Sequence, residues 1–529
     1  MENDFSPGFV PQRGVKLRAM SKIPWRQLLV PAALVFLYLY PFPYFSKLRS
    51  ANEMPRIYLT QEIVDRGTFR LDARWSELQL GSTFDVSTTP DGHRYSNKAP
   101  GTSFLAVPGY LLIKGWHRLV GGEPSLAEVT RVFRVTAVTI PALLFLCWFF
   151  SLTRRFAPDA APRRTALLAY ALGSLAFPYA LLFFSHQTAA ACAGGAFVCA
   201  VRRVRGETRW PNLTSVGIGL LAALAVVVDY QSVFAALAIA IYLLLRSQRR
   251  WPDVALATLG AIPPAAALMF YHQTCFGSPL KTGYSFAVDP ACQHGLLGII
   301  GPNLQGLWQA LLAPDNGLIV LMPWVLIAIV GGAAIAYDRE ARARVGAEAL
   351  LCGIVILAYV LFLGSLAPAI GRAGWSVGPR YIGVAVPFIG WLAAAGFAAL
   401  DKKPLLRVIG QSLVVVGIVV FVAAAVTYPH WPTSFANPLF DVSFRALRSG
   451  MAPHSLGTLI GLRGLASLLP FFAVIGALVL GLFTAGDRRR WVTTVAAILL
   501  ASAIIWSYHF FSQGTAEGAW NFIVRQWEP

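Results

Sequence analysis

Charge is scarce in this sequence. Asp, Glu, Lys and Arg make up only 13% of its 529 residues, about half the share found in a soluble domain. The shortage excludes a string of ordinary water-soluble domains, although length alone would allow roughly two to four of them. Cysteine is sparse as well, with six scattered residues that show no metal-type spacing. Cys147, Cys192, Cys199 and Cys352 fall in apolar runs and read as small buried hydrophobes. Cys275 and Cys292 share one expected loop and are candidates for a disulfide. The sequence contains no P-loop, no HExxH, no GxSxG and no zinc-ligand spacing, so NTP-driven transport and metal-dependent proteolysis lack support. No cleavable signal is apparent. The basic start (Arg13, Lys16, Arg18, Lys22, Arg26) runs into apolar sequence from Leu28 without a small-residue cleavage site, and reads as a retained anchor.

What the chain has in abundance is apolar sequence: 56% of its residues are hydrophobic, and its mean hydropathy is +0.59. A helix needs roughly 20 apolar residues to cross the hydrocarbon core of a bilayer, and runs of that kind recur. Spans are expected near 28–45, 129–153, 165–184, 187–201, 213–229, 231–245, 254–271, 316–337, 347–367, 381–400, 408–427, 465–485 and 491–508. The fold class is therefore an all-α polytopic integral membrane protein with about 13 transmembrane helices.

The net charge of +19 is better explained by topology than by nucleic acid, because basic residues collect in short cytoplasmic loops. The N-terminal tail and six short connectors (154–164, 202–209, 246–250, 339–344, 402–407 and 488–490) hold 25 of the 44 Lys and Arg residues. The remaining 19 are spread through much longer segments. This asymmetry predicts a cytoplasmic tail at 1–27, a single membrane unit at 28–508, and an external C-terminal tail at 509–529. The external loops expected are 46–126, 272–315, 368–380 and 428–464. Counting Phe104–Val120 as a span would invert this charge bias. It contains Pro108, Lys114, His117 and Arg118, so it reads as a helix lying in the membrane interface. Arg56–Arg66 reads similarly.

The first external loop holds the densest polar chemistry. Glu53 sits just outside the first span, where a raised pKa would suit a general base; the alternative is an acid solvated at a helix start. Lys98 lies in a turn shaped by Pro100 and Gly101, placed to meet a phosphate or, as a snorkelling side chain, anionic lipid. Asp72 and Asp85 are further acids of this loop, and Asp91-Gly92 reads as a turn. His186 and Asp229 each fall at the outer end of a span, where ionisable groups usually face a cavity. Arg380 opens a span with a guanidinium suited to paired hydrogen bonds with phosphate. Phe276–Tyr284 is a Gly/Pro-punctuated loop with Lys281 and Tyr284 as polar tips. Under one topology these residues share one face of the membrane.

The acid just after the first span, the stretch Tyr95-Ser96-Asn97-Lys98-Ala99-Pro100-Gly101 before an interfacial helix, and the span count resemble the GT-C glycosyltransferases. Within them, the chain is most similar to the bacterial group that includes the protein O-mannosyltransferases and the lipid A aminoarabinose transferase. The segments Gly277-Ser278-Pro279 and Gly378-Pro379-Arg380-Tyr381 also look like ones recurring in that group. In those enzymes an Asp-Glu pair opens the first external loop, whereas here the pair reads Asn52-Glu53. The resemblance implies transfer of a sugar, with inversion, from a polyprenyl-phosphate donor to a lipid, glycan or protein acceptor outside the cytoplasmic membrane. It implies Glu53 as the catalytic carboxylate, with Asp85 or Asp72 as substitutes. Lys98 and Arg380 would hold the lipid phosphate, while His186, Asp229, Lys281 and Tyr284 would shape the substrate pocket. Some relatives use a divalent metal, and no clear ligand set for one is apparent here. The competing readings are a transporter or flippase of lipid-linked sugars, to which Pro263-Pro264 in a span points, and a non-catalytic envelope-assembly protein.

Overall fold

The computed structural model describes residues 25–47, 50–76, 85–288, 292, 298–367, 374–485, 490–511 and 516–527. The expected tail at 1–27 lies almost wholly outside the described residues, as do parts of the loops 272–315 and 368–380 and of the basic turn 488–490. Each expected span falls on helix, but not on thirteen unbroken ones. Among the described residues, eight helices are long and apolar enough to cross a membrane: Leu126–Phe156, Pro211–Val228, Arg250–Phe276, Arg339–Gly364, Arg380–Leu400, Pro404–Ala425, Gly464–Thr484 and Arg490–Phe511. Leu28–Leu39, Tyr230–Arg246 and Pro323–Tyr337 are shorter apolar helices.

The segment expected as one span at 165–184 is broken. Helix Ala160–Ala171 stops, and a short helix, Ala176–Ala180, follows after a bend. A break deep in an apolar bundle must satisfy its own backbone groups, and this one does. The Tyr38 hydroxyl donates to the Ala171 carbonyl (2.7 Å) and the Trp324 indole to the Gly173 carbonyl (2.6 Å).

Helices His186–Val204 and Val386–Leu400 are buried on nearly all sides and form the centre of the bundle. Trp391 stacks on Phe149, with ring centroids 5.6 Å apart, and donates to its carbonyl at 3.2 Å. Small residues let other helices meet backbone to backbone. A Cβ at Gly219 would fall 1.6 Å from the Ala257 carbonyl oxygen, and one at Gly260 would fall 2.0 Å from that of Val216. Those two positions fix the seam between Pro211–Val228 and Arg250–Phe276.

The basic connectors come together at one end of the bundle, as the charge pattern predicts. Arg205 pairs with the buried Glu348 at 2.7 Å, Arg203 with the buried Asp253 at 2.9 Å, and Arg490 and Arg407 with Asp401 at 2.8 Å each. Arg155 pairs with Glu207 and accepts at its carbonyl from Arg344 (2.9 Å).

At the opposite end the first loop folds into a second hydrophobic core. Ile57, Tyr58, Leu59, Val86, Tyr95 and Tyr110 pack there with Phe133, Phe183, Tyr271 and Phe276 from the helix ends. The stretch expected to lie in the interface forms a helix, Gly101–Val120, with Leu111, Leu112, Trp116 and Leu119 exposed along its outside. Arg56–Arg66 departs from the interfacial reading. Helix Met54–Arg66 is buried along most of its length, because it is walled in by Gly101–Val120 and by the salt bridges of Glu62 to Arg66 and Arg74. The segment expected as the C-terminal tail is described over 516–527. It folds into helix Glu517–Gln526, whose Trp520 packs under Arg445 and whose Phe522 meets Trp375. Cys275 lies in the last turn of Arg250–Phe276, which runs further than expected, and no disulfide joins it to Cys292.

Candidate active site

The Lys98 turn is closed by a two-stranded hairpin. Strands Val86–Thr88 and Arg94–Ser96 pair with Val86 opposite Ser96, which brings Asp85 to the end of the strand that leads into Lys98. Lys98 Nζ lies 2.8 Å from Asp85 Oδ1. Pro100 then caps helix Gly101–Val120. A Cβ at Gly101 would sit 2.6 Å from the Val227 carbonyl carbon and oxygen, so only glycine lets this helix rest on the end of Pro211–Val228. Asp229 is the next residue of that chain. A second close approach seats the loop after Arg250–Phe276. A Cβ at Gly283 would fall 2.6 Å from Asn97 Cα, and Ser87 Oγ donates to the Gly283 carbonyl at 2.6 Å. The turn Gly283–Phe286 thereby holds the Tyr284 ring 5.4 Å from Lys98 Nζ.

Arg56, on the first turn of helix Met54–Arg66, ties these parts together. Its Nη1 donates to the Asn52 carbonyl (2.6 Å) and to Asn52 Oδ1, and its Nη2 donates to Ser185 Oγ (3.3 Å). Asn52 Nδ2 in turn donates to Asp85 Oδ2 at 3.4 Å. Ser185 Oγ donates to Asp229 Oδ2 (3.2 Å), which also lies 2.7 Å from His186 Nδ1. The His186 ring meets that of Tyr381 at 5.7 Å, and the neighbouring Arg380 lays its guanidinium 5.1 Å from the Phe184 ring centre.

Three cations, Arg56, Lys98 and Arg380, thus face two carboxylates, Asp85 and Asp229, leaving one surplus positive charge in a largely buried setting. Burial alone would pull the Lys98 ammonium down, but Asp85, Tyr284 and Tyr381 push it above its usual value, so it stays charged. Burial lowers the Arg56 guanidinium, and Arg380 adds to that, while Asp85, Tyr284 and Asp229 oppose it; the net direction is down. Burial pushes the Tyr284 phenol up to about 12 against the pull of Lys98, which keeps it a neutral hydroxyl. Arg380 Nε and His186 Nε2 are buried and have no hydrogen-bond partner among the described residues. Buried polar atoms in this condition call for an explanation, and an anionic ligand with hydroxyl groups supplies one.

Glu53 turns the other way. Its Oε1 accepts from Arg134 Nε (2.9 Å) and from the Phe183 amide (2.7 Å), and its Oε2 accepts from Arg134 Nη2 (2.9 Å). His430 Nε2 stands 3.9 Å from that second oxygen. Burial would raise the Glu53 carboxyl, but Arg134, His430 and the Phe183 amide outweigh it and hold the group below its usual value. Burial pushes the His430 imidazole down to about 4 despite Glu53. The Glu53 side chain is 4% exposed and that of Asp85 20%. Of Glu53 and Asp85, Asp85 keeps the more exposed side chain, while Glu53 lies at a small cavity lined also by Ser50, Thr130, Arg134 and His430.

Six of the expected residues (Asp85, Lys98, Arg380, His186, Asp229 and Tyr284) therefore meet in one network, with Glu53 behind it. Lys281 does not join. It is exposed, and its Nζ lies 5.8 Å from the Phe286 ring centre. Asp72 pairs with His93 at 2.9 Å, away from Lys98. Among the described residues no group of three His, Cys, Asp or Glu side chains gathers as metal ligands. Sequence reasoning missed Arg56, Arg134 and His430. Arg134 was detectable, because it stands inside an apolar stretch, and an ionisable residue in such a run marks a polar interior. A π-turn at Val135–Thr139 follows it directly, a feature frequent at functional sites.

Fold and site together define a polytopic helical membrane protein with a buried cluster of cations and carboxylates at the bundle end away from its basic loops. No family model matches the chain, and no curated protein does. It is similar to two solved structures of ArnT from Cupriavidus metallidurans. One is in the apo state (16% identity, TM-score 0.48) and one is bound to undecaprenyl phosphate (16% identity, TM-score 0.46); each match covers 91% of this chain and 77% of the other.

Proposed function

We propose that the protein is a GT-C-type membrane glycosyltransferase, which transfers a sugar from a polyprenyl-phosphate donor to an acceptor hydroxyl on the face opposite its basic loops. The observation that carries this reading is the Asp85–Lys98 pair, set among Arg56 and Arg380 at 2.8 Å separation and only partly closed to solvent. Lys98 and Arg380 take the phosphate of the donor, and Arg56 adds to the field that offsets charge on the departing phosphate. Asp85 accepts the proton of the acceptor hydroxyl. The hydroxyl oxygen bonds to the anomeric carbon from the side opposite the phosphate, the carbon–phosphate-oxygen bond breaks, and the polyprenyl phosphate leaves with the electron pair. The configuration at that carbon inverts.

This assigns the acid differently from the position-by-position resemblance. Asn52 stands where the related enzymes have an Asp, and its amide accepts from Arg56 while donating to Asp85. A carboxylate at 52 would instead face that of Asp85 and repel it. The pair Asn52/Asp85 thus offers one partly exposed carboxylate in place of the missing one, and Glu53 acts as a positioning residue that anchors the start of helix Met54–Arg66.

The orientation proposed is an N-terminus on the cytoplasmic side of the inner membrane and the site on the external side, as the loop charges favour. Against the transporter reading, Arg250–Phe276 runs unbroken past Pro263 and Pro264. The break after Ala171 has its freed carbonyls tied to Tyr38 and Trp324 rather than turned to an ion path. The test is incubation of the protein in nanodiscs with radiolabelled polyprenyl-phosphate pentoses and hexoses plus envelope extract. The reading expects label in an acceptor with wild type and none with Asp85→Asn. Movement of lipid-linked sugar between leaflets without transfer of label would overturn it in favour of transport.

A further inference from the structure

Among the described residues, His186 Nε2 is one of the buried polar atoms left without a hydrogen-bond partner. The Nδ1 of the same ring lies 2.7 Å from Asp229 Oδ2, an oxygen that also receives Ser185 Oγ and Gln231 Nε2 at 3.2 Å each. An ionised carboxylate can only accept, so the Nδ1 nitrogen carries the proton. Such a carboxylate–imidazole pair fixes both tautomer and ring orientation. Burial opposes a second proton on the ring, and the guanidiniums of Arg380 and Arg56 add to that against the pull of Asp229, so the imidazole is held below its ordinary value. The imidazole is then neutral, and Nε2 presents a bare lone pair, buried and without a partner among the described residues. The ring cannot swing away to find one. Tyr179 and Tyr381 stand edge-on to it at 5.6 and 5.7 Å, and a Cβ at Gly383 would already be 3.1 Å from His186 Cβ.

A phosphate does not answer this atom, because a fully ionised phosphate is itself only an acceptor. The matching group is a neutral O–H held beside the phosphate. We infer that His186 Nε2 accepts a hydrogen bond from the hydroxyl next to the anomeric carbon of the donor sugar, with Asp229 as the residue that positions the ring. This assignment rests on the glycosyltransferase reading. It names the substrate class as lipid-linked sugars with a free 2-hydroxyl, and it sets deoxy or acylated sugars at that position as poor ligands. A 2-deoxy donor leaves this buried acceptor unpartnered, so discrimination of about tenfold between 2-hydroxy and 2-deoxy donors is expected.

The test measures binding to the full-length protein in nanodiscs of three probes: undecaprenyl phosphate without sugar, undecaprenyl-phosphate glucose, and its 2-deoxy counterpart, with mannose and arabinose forms alongside. Wild type is expected to prefer the 2-hydroxy form about tenfold over the 2-deoxy form. His186→Phe is expected to lose that preference while still binding the bare lipid phosphate. His186→Gln, whose amide oxygen can stand in as acceptor, keeps part of it, which separates loss of the acceptor from misfolding. Asp229→Asn lets the proton move to Nε2 and lowers the same ratio, a readout that a purely structural role would leave unmoved. A preference that survives His186→Phe, or a wild type that binds both glycosides equally for every sugar, overturns the assignment. Failure of wild type to bind any of the probes, the bare lipid phosphate included, overturns the glycosyltransferase reading itself and this inference with it.

Discussion

Two charged centres lie on either side of the Asn52–Glu53 peptide, and they differ in what they leave available. Around Glu53 the account is closed: both oxygens are bonded, Arg134 matches the charge, and 4% of the side chain is exposed. Around Asp85 it is open. The acid keeps 20% exposure, cations outnumber carboxylates, and Arg380 and His186 each hold a buried atom in reserve. Burial and ion pairing alone therefore do not mark a site. A matched, fully bonded pair reads as scaffold, and a mismatched one, with polar atoms still to be satisfied, reads as a place for a ligand.

The strongest way to break this comparison is to unmatch the closed centre. Arg134→Leu leaves Glu53 buried without its partner and is expected to cost about 3–5 kcal/mol, seen as a large fall in the unfolding temperature in detergent. The double variant Glu53→Leu/Arg134→Leu is expected to be more stable than Arg134→Leu alone. If the single and double variants unfold together, the closed centre is not a matched pair.

A smaller effect is expected from thinning the cations of the open centre. Lys98→Met and Arg380→Met each remove charge-assisted hydrogen bonds worth about 1.5–3 kcal/mol. Affinity for polyprenyl phosphate should drop about 10- to 100-fold in each, with little change in unfolding temperature. Lipid-phosphate titrations by native mass spectrometry or calorimetry check this, and Lys281→Ala serves as the control with no expected loss.

A gentler probe is acid. The folded state holds the Glu53 carboxyl below its ordinary value and His430 at about 4 against an ordinary 6.5. A group whose folded pKa is depressed contributes stability that is fully present above its unfolded pKa and is lost as pH falls through the folded one. Stability should therefore decline from about pH 6.5 down to about 4. His430→Phe should flatten the upper part of that decline, which thermal melts across this range would show. An unchanged slope would remove His430 from the closed centre.

Much of the fold was legible. Apolar runs located the helices, and the basic connectors foretold that Arg205, Arg155 and Arg490 share one end of the bundle. The break after Ala171 was not legible, because the side chains that satisfy it, Tyr38 and Trp324, are distant in sequence. Of the candidate site, Arg380, His186 and Asp229 could be named from charge at span ends, and Lys98 from its Pro/Gly turn in the first loop. What local sequence could not give is which acid faces which cation. Arg134 reaches Glu53 across 81 positions, while Asp85 is brought to Lys98 by a hairpin register. Lys281 and Tyr284 are neighbours in the chain, yet the turn Gly283–Phe286 brings only Tyr284 to Lys98.

The central claim, that Asp85 rather than Glu53 accepts the acceptor's proton, is tested most directly by comparing Asp85→Asn with Glu53→Gln. Both would be measured for sugar transfer from a polyprenyl-phosphate donor and for unfolding temperature. The account predicts that Asp85→Asn lowers transfer about 10²- to 10⁴-fold at near wild-type stability, while Glu53→Gln lowers stability and keeps transfer in the fraction that remains folded. A stable, inactive Glu53→Gln beside an active Asp85→Asn would contradict it.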